Sequence, residues 1–354
     1  MEMIFGAPQY YVQGPGILRA IPRHMAALEV KRRTLIIMDP GVVGCVQHMF
    51  DAMDTTALPY TLLVYDKSIH LDNIYALIQT LDRDYDCVLG VGGGKAIDVA
   101  KRVGWALQTR LITVPTSVAS DACTSRTAVS YGKDGEIVED KTLFNPACVL
   151  VDSAVIVGAP FRLFCAGMAD AISKRFEYKL SLKCAQKNWY DGDPAFFIND
   201  ISEKMHLLLL KEGRYLADCF RRHELNDTVE KAITAMFLMS RFVWDPGGLR
   251  GAHDMFEEYH DCGYGPDVMH GEMVGFFDLV QLLLEDYPEN EFEELYMLYS
   301  ELHIPLKLSD MGFPVEDEAK LYQLTQRMLS KCAKFNYHPS AEKFKDIIYR
   351  LEAR

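Results

Sequence analysis

The residues of this 354-residue chain with a type and spacing suited to chemistry fall into two groups. The first is Gly92-Gly93-Gly94-Lys95, which follows the apolar run Cys87 to Val91 and precedes Ala96, Val99, Ala100, Val103 and Leu107 at helical spacing. A strand that turns through glycines into a helix lets backbone N–H groups approach a phosphate, and the helix N-terminus adds partial positive charge. The same run suits a plain strand-helix turn, so its surroundings decide. Asp39 ends an earlier apolar run. A carboxylate there binds a ribose 2′-hydroxyl and repels the 2′-phosphate of NADP, or it caps the turn begun by Pro40. The first reading favours NAD.

The second group is Asp170, His253 and His270. Asp170 lies in a predicted helix, His253 follows a glycine-rich entry to another, and His270 sits just inside a third that Pro266 and Asp267 start well. Three helices could converge on one ion. Two imidazoles and one carboxylate leave a fourth position for water or an alcohol oxygen, the arrangement of catalytic zinc. Such ligands also suit Mn²⁺, Fe²⁺ or Co²⁺, and each imidazole taken alone serves equally as a buried hydrogen-bonding group.

The elements that must position these groups differ between the two ends of the chain. Strands are expected at Thr34 to Met38, Tyr60 to Tyr65, Cys87 to Val91, Leu111 to Val114 and Cys148 to Val151, with a helix from about Lys95 to Gln108. Alternation of strands and helices predicts an α/β, Rossmann-like N-terminal domain with a parallel sheet, residues 1–157. Thr127 to Tyr131 and Glu136 to Val138 flank Gly132-Lys133-Asp134-Gly135 and read as a hairpin. From Pro160 the texture becomes helical, in Phe161 to Lys179, Val229 to Val243, Val268 to Asp286 and Glu316 to Lys334. An all-α C-terminal domain, residues 158–354, is expected, with the boundary near Asp152 to Pro160.

Composition narrows the class. A net charge of −13 would repel nucleic acid and anionic membrane, so a small-molecule role is expected. No stretch approaches the apolar length of a membrane span, and a cytoplasmic protein is implied. Nine scattered Cys with no C-x-x-C pair read as buried, reduced thiols.

The glycine turn, the polar loop Val114-Pro115-Thr116-Ser117-Val118-Ala119-Ser120-Asp121-Ala122-Cys123-Thr124-Ser125, Gly167-Met168-Ala169-Asp170-Ala171 and Gly248-Leu249-x-x-Ala252-His253 resemble one family. It is the glycerol dehydrogenase branch of the iron-dependent alcohol dehydrogenase and dehydroquinate synthase superfamily. The likeness is strongest from about Gly90 to Glu177 and returns at Pro246 to Gly275. It implies the two-domain fold, metal ligation by Asp170, His253 and His270, and NAD contacts at Asp39, Gly92, Gly93, Gly94, Lys95, Thr116, Ser125, Thr127 and Tyr131. It also implies that Asp121 faces the substrate as a catalytic-side residue orienting a neighbouring hydroxyl. A homo-oligomer is implied by analogy.

Within the resemblance, the iron-using branch carries a further His four residues after the Asp, where this chain has Lys174. A charged ammonium is no ligand, which favours Zn²⁺ over Fe²⁺ or Mn²⁺. The dehydroquinate synthase branch has Glu where this chain has Asp170. The implied reaction is NAD-dependent oxidation of a secondary alcohol of a small polyol or hydroxy acid by hydride transfer. The alternatives are a cyclase using NAD transiently and a glycerol-1-phosphate-type dehydrogenase with an anionic substrate.

Several positions depart from the family. Thr127 replaces an apolar residue, Ala119 a serine, Arg126 and Arg250 small residues, Trp244 a small residue, and Phe256-Glu257-Glu258 stand where His-Asn-Gly is usual. The arginines are expected either to point to solvent or pair with Glu257 and Glu258, or else Arg126, Arg250 or Lys174 receives a carboxylate or phosphate of the substrate.

Overall fold

The computed structural model describes residues 2–46, 59–132, 136–140 and 143–354. They form two compact units. One comprises Gly6–Leu163 with Cys219–Arg241; the other comprises Phe164–Asp218 and Phe242–Arg354 with the N-terminal residues up to Phe5.

The first unit is built on a six-stranded parallel sheet. Its strands are β1 (Tyr10–Gly14), β2 (Arg33–Met38), β3 (Tyr60–Val64), β4 (Tyr85–Gly92), β5 (Arg110–Pro115) and β8 (Cys148–Asp152), in the order β1-β8-β5-β4-β2-β3. Successive residues of β2 show why these stretches read as unbroken apolar runs. Leu35 and Ile37 pack on one face with Val88, Val99 and Val103, while Ile36 and Met38 pack on the other with Leu18, Met25 and Leu89. Both faces are covered, as parallel sheets require. The five expected strands are all present. β1 lies on an edge, and its half-exposed YYVQG carries only one β-branched residue, so periodicity does not reveal it.

Helices α1 (Ile21–Ala27), α2 (Leu71–Thr80), α3 (Gly94–Leu107) and α4 (Ser153–Val157) complete this part. The hairpin is present as β6 (Ala128–Tyr131) antiparallel to β7 (Ile137–Asp140); its expected turn at 133–135 lies outside the described residues. The chain leaves β2 toward β3 on one side and β4 toward β5 on the other. The C-terminal ends of β2 and β4 therefore form a topological switch point, the usual place for a ligand in such sheets.

Among the described residues the second unit is mainly helical: α5 (Phe161–Lys183), α6 (Ile198–Arg221), α8 (Ser240–Gly247), α9 (Ala252–Asp261), α10 (His270–Leu284), α11 (Glu289–Glu301), α12 (Glu318–Ala333) and α13 (Ala341–Glu352). Helix α7 (Asp227–Thr234) instead groups with the sheet. Gln13 Nε2 donates to the Glu230 carbonyl at 2.8 Å, Ser153 Oγ donates to Glu230 Oε1 at 2.5 Å, and Thr124 Oγ1 donates to the Phe237 carbonyl at 3.0 Å. A helical pattern does not say which unit its helix joins, so the sequence shows no second crossing there. The expected single helix Val229 to Val243 is α7, a π-turn at Ala235–Met239 and the start of α8.

No described helix is long and apolar enough to cross a membrane. All nine cysteines are free, with Cys45 exposed, Cys262 half-buried and the other seven buried.

Candidate functional site

The expected metal ligands meet in the second unit. Asp170 sits mid-way along α5, buried; His253 is the second residue of α9; His270 is the first of α10. Small residues allow α5 and α10 to approach. A Cβ on Gly271 would lie 2.0 Å from the Ala166 carbonyl oxygen, and one on Gly275 would lie 2.9 Å from the Ala169 Cβ. That contact carries His270 Nε2 to 3.8 Å from Asp170 Oδ1, while His253 Nε2 stands at 3.1 Å from the same oxygen. One ligand atom from each of the three lies within 4.8 Å of the others. Two imidazole nitrogens and a carboxylate oxygen so placed fit a divalent ion of intermediate hardness.

Glu177, two turns after Asp170 on α5 and fully buried, orients the set. Its Oε1 accepts the His253 backbone N–H at 2.8 Å, and its Oε2 lies 2.7 Å from His253 Nδ1. With Nδ1–H donating to Glu177, the Nε2 lone pair is free for an ion. Burial alone would lower the His253 pKa, but Glu177 and Asp170 raise it to about 10 with no ion bound. Burial alone would likewise raise the Glu177 carboxyl, yet His253 holds it below the ordinary glutamate value. Asp170 is held well below the usual carboxylate range: against its burial act Lys174 and both imidazoles.

Side chains wall the site. The Trp244 ring packs 4.3 Å from the His253 ring, and Phe256 meets His270 edge-on at 4.6 Å. Lys174 Nζ lies 3.3 Å from Asp170 Oδ2.

The arginine expectation is corrected for Arg250. It pairs with Asp254 at 3.2 Å and covers the Trp189 ring at 4.4 Å, because α9 carries Asp254 one turn later. Glu257 and Glu258 pair instead with Lys331 and Arg327. Arg126 is half-buried.

In the first unit, Asp39, Gly92 to Gly94 and Thr116 gather at the strand ends. The Asp39 N–H donates to the Val91 carbonyl at 2.9 Å, and the Thr116 N–H to the Gly92 carbonyl at 3.1 Å. Gly92 has φ 144°, and a Cβ on it would lie 2.6 Å from the Asp39 Cβ. Only glycine permits that approach. Asp39 Oδ1 accepts the Gly41 N–H at 2.7 Å, so the carboxylate does cap the Pro40 turn. Gly93 begins α3 with no side-chain cap, and Lys95 is exposed.

The remaining expected cofactor residues are held from beneath. Lys101 Nζ, buried on α3, donates to Asp98 Oδ1 at 3.1 Å, Ser125 Oγ at 3.0 Å and the Thr127 carbonyl at 2.5 Å. Thr127 Oγ1 accepts from Arg241 at 2.9 Å. Asp121 is buried, accepts from Ser240 Oγ at 2.7 Å and faces Arg241 at 3.6 Å. Tyr131 stands on the hairpin against the His70 ring at 6.0 Å. Sequence reading passed over Glu177, Lys101 and Arg241. Of these, only Glu177 left a spacing signal, seven residues and two turns after Asp170 on one helix face.

A family model described as iron-containing alcohol dehydrogenase matches residues 12–160. Glycerol dehydrogenase of Thermotoga maritima is 27% identical over 354 residues, covering 98% of this chain and 95% of that one. Glycolaldehyde reductase of Halobacterium salinarum is 27% identical over 325 residues, covering 91% and 88%. The crystal structure of glycerol dehydrogenase from Schizosaccharomyces pombe matches with a TM-score of 0.90 at 26% identity, over 99% of this chain and 91% of that one. The chain is similar to iron-containing alcohol dehydrogenases over residues 12–160 and to glycerol dehydrogenases over nearly its whole length. Its matches fall on the glycerol dehydrogenase branch, as its motifs imply, and its six-stranded parallel sheet with a helical second unit has the fold of the glycerol dehydrogenase structure it matches.

Proposed function

We propose that this chain is a metal-dependent, NAD-linked dehydrogenase of a small polyol, with Asp170, His253 and His270 holding the ion. The observation that carries the reading is the convergence of three ligand atoms within 4.8 Å, backed by the carboxylate of Glu177 on His253. The relatives named for glycerol and glycolaldehyde support a small hydroxylated substrate. Zn²⁺ suits the donor set; when bound it would supply Lewis acidity toward a substrate oxygen, and NAD would accept the hydride.

The chain's own residues prepare for that chemistry. Glu177 fixes the tautomer and plane of His253. Trp244 packs on the buried His253 ring and Phe256 meets the ring of His270, which stays open to solvent. In the cofactor's place, Gly92 to Gly94 and the start of α3 offer backbone N–H groups to the pyrophosphate, flanked by Lys95 and Thr116. Asp39 keeps Oδ2 for a ribose hydroxyl while Oδ1 holds its own turn. Ser125, Thr127 and Tyr131 complete the set, with the Ser125 hydroxyl already engaged by Lys101. Asp121, steadied by Ser240, orients a substrate hydroxyl. Association into a homo-oligomer is part of the same proposal.

The test is a panel of alcohols, diols, polyols and hydroxy acids with NAD⁺, read as NADH absorbance, on protein stripped of metal and reloaded with Zn²⁺. NADH production from a diol or polyol only after reloading is expected. Conversion of a substrate with no net NADH would replace this reading with a cyclase.

A further inference from the structure

Lys174 is 1% exposed and lies one turn after Asp170 on the same face of α5. Lysine is buried so completely only where its charge is paired. Here the ammonium stands 3.3 Å from Asp170 Oδ2 and 5.6 Å from the centroid of the Trp244 ring. Asp170 Oδ1 points the other way, to His253 Nε2 at 3.1 Å and His270 Nε2 at 3.8 Å. The two oxygens of one carboxylate are thus divided between a cation built into the chain and the imidazoles. Glu177, a second buried carboxylate of the cluster, accepts from His253 and from the Ser173 hydroxyl.

We propose that Lys174 is a positioning residue of the metal centre: it restricts Asp170 to ligation through one oxygen and, as a fixed positive charge, holds the affinity for divalent ions below what Asp170, His253 and His270 alone would give. The inference rests on the metal reading of this site. Two effects act in the same direction. A cation beside the ligand set repels a divalent ion, weakly screened because the group is buried. It also stabilises the metal-free protein by pairing Oδ2, the buried Asp170 oxygen turned away from the imidazoles.

A neutral residue at 174 therefore weakens the metal-free protein and tightens the ion. A residue that merely filled space would, when replaced, weaken both. That opposition of sign is the diagnostic.

The experiment compares wild type with Lys174→Met, Lys174→Gln and Lys174→Arg after chelator stripping. Zn²⁺ is titrated in competition with a chromophoric chelator, and each protein is melted with and without Zn²⁺. In the Met and Gln variants the Zn²⁺ Kd is expected to fall by about tenfold or more. Their metal-free Tm is expected to fall while the Zn²⁺-induced rise in Tm grows. The Arg variant, which keeps the charge, is expected to stay near wild type. Should Lys174→Met not fold, Lys174→Gln carries the same comparison. An unchanged or raised Kd in a folded neutral variant overturns the inference and leaves the metal site standing. A wild-type protein that binds no Zn²⁺ overturns the metal reading itself, and this inference with it.

Discussion

Glu177 receives His253 twice, the backbone N–H at Oε1 and the ring Nδ1 at Oε2, at 2.8 and 2.7 Å. One carboxylate thereby sets both where α9 begins and how its imidazole is turned. Outer-shell partners of this kind are commonly worth about 10- to 100-fold in metal affinity. Glu177→Ala is expected to weaken Zn²⁺ binding by that order, and Glu177→Gln, which keeps an acceptor, by less. Chelator competition on protein with native circular dichroism measures it; Zn²⁺ bound by Glu177→Ala as tightly as by wild type would refute the orienting role.

The proton on His253 links metal binding to pH. Despite burial, the neighbouring carboxylates raise its pKa to about 10 in the metal-free protein, so an ion must displace a proton at any lower pH. Apparent Zn²⁺ affinity should rise about tenfold per pH unit from this group alone. The sign for folding is opposite. A raised pKa adds stability that is complete below the unfolded value of about 6.5 and is lost as pH climbs through 10. Zn²⁺ titrations at several pH values, with hydroxide competition subtracted, would expose a flat dependence if the proton is absent.

Gly92→Ala tests the cofactor end. The new Cβ would meet the Asp39 Cβ at 2.6 Å with φ at 144°, so β2 and β4 must part or the turn must deform. Strain of about 1–3 kcal/mol is expected, with a lower Tm and an NAD Kd raised by about tenfold or more. Metal content should stay the same, because Asp170, His253 and His270 belong to the other unit. NAD titration by quenching of protein fluorescence gives the Kd, and wild-type affinity in the folded variant would contradict the assignment.

Asp39→Ser addresses cofactor choice. Removing the half-buried carboxylate removes the repulsion of a 2′-phosphate but also the cap on Gly41. The ratio of kcat/KM for NADP to that for NAD should rise by about tenfold or more, with some loss of Tm. An unaltered ratio would mean that Asp39 acts only as the cap.

His206 on α6 governs part of the acid stability. Burial, then Arg175, lowers its pKa to about 3, and it packs edge-on to Phe176 at 5.0 Å. The unfolded chain takes up a proton below about pH 6.5 that the folded chain refuses, so stability falls as pH drops from there toward 3. His206→Leu should lose less Tm than wild type between about pH 7 and pH 4. Parallel losses in the two proteins would show that His206 does not contribute.

The sequence by itself determined five of the six strands and pointed to both chemical groups. Parallel strands buried on two faces are continuous apolar runs, so β2, β4, β5 and β8 stand out, and a strand running into Gly92-Gly93-Gly94 announces a turn at a helix N-terminus. The Asp170, His253 and His270 set was legible through the family resemblance of the segments that carry it, since helix position alone leaves each imidazole an ordinary buried or surface group. Only the tertiary structure decided what surrounds them. Glu177 looks like an ordinary helix charge until the start of α9 docks on it, Lys174 is marked only by the His it replaces until it is seen paired with Asp170, and Arg250 looks like a cation for Glu257, Glu258 or the substrate until Asp254 and Trp189 take it. The return of Cys219–Arg241 to the sheet was equally hidden. Local periodicity fixes which face of an element is apolar; which element meets that face depends on contacts distant in sequence, and those alone turn a buried charge into a partner.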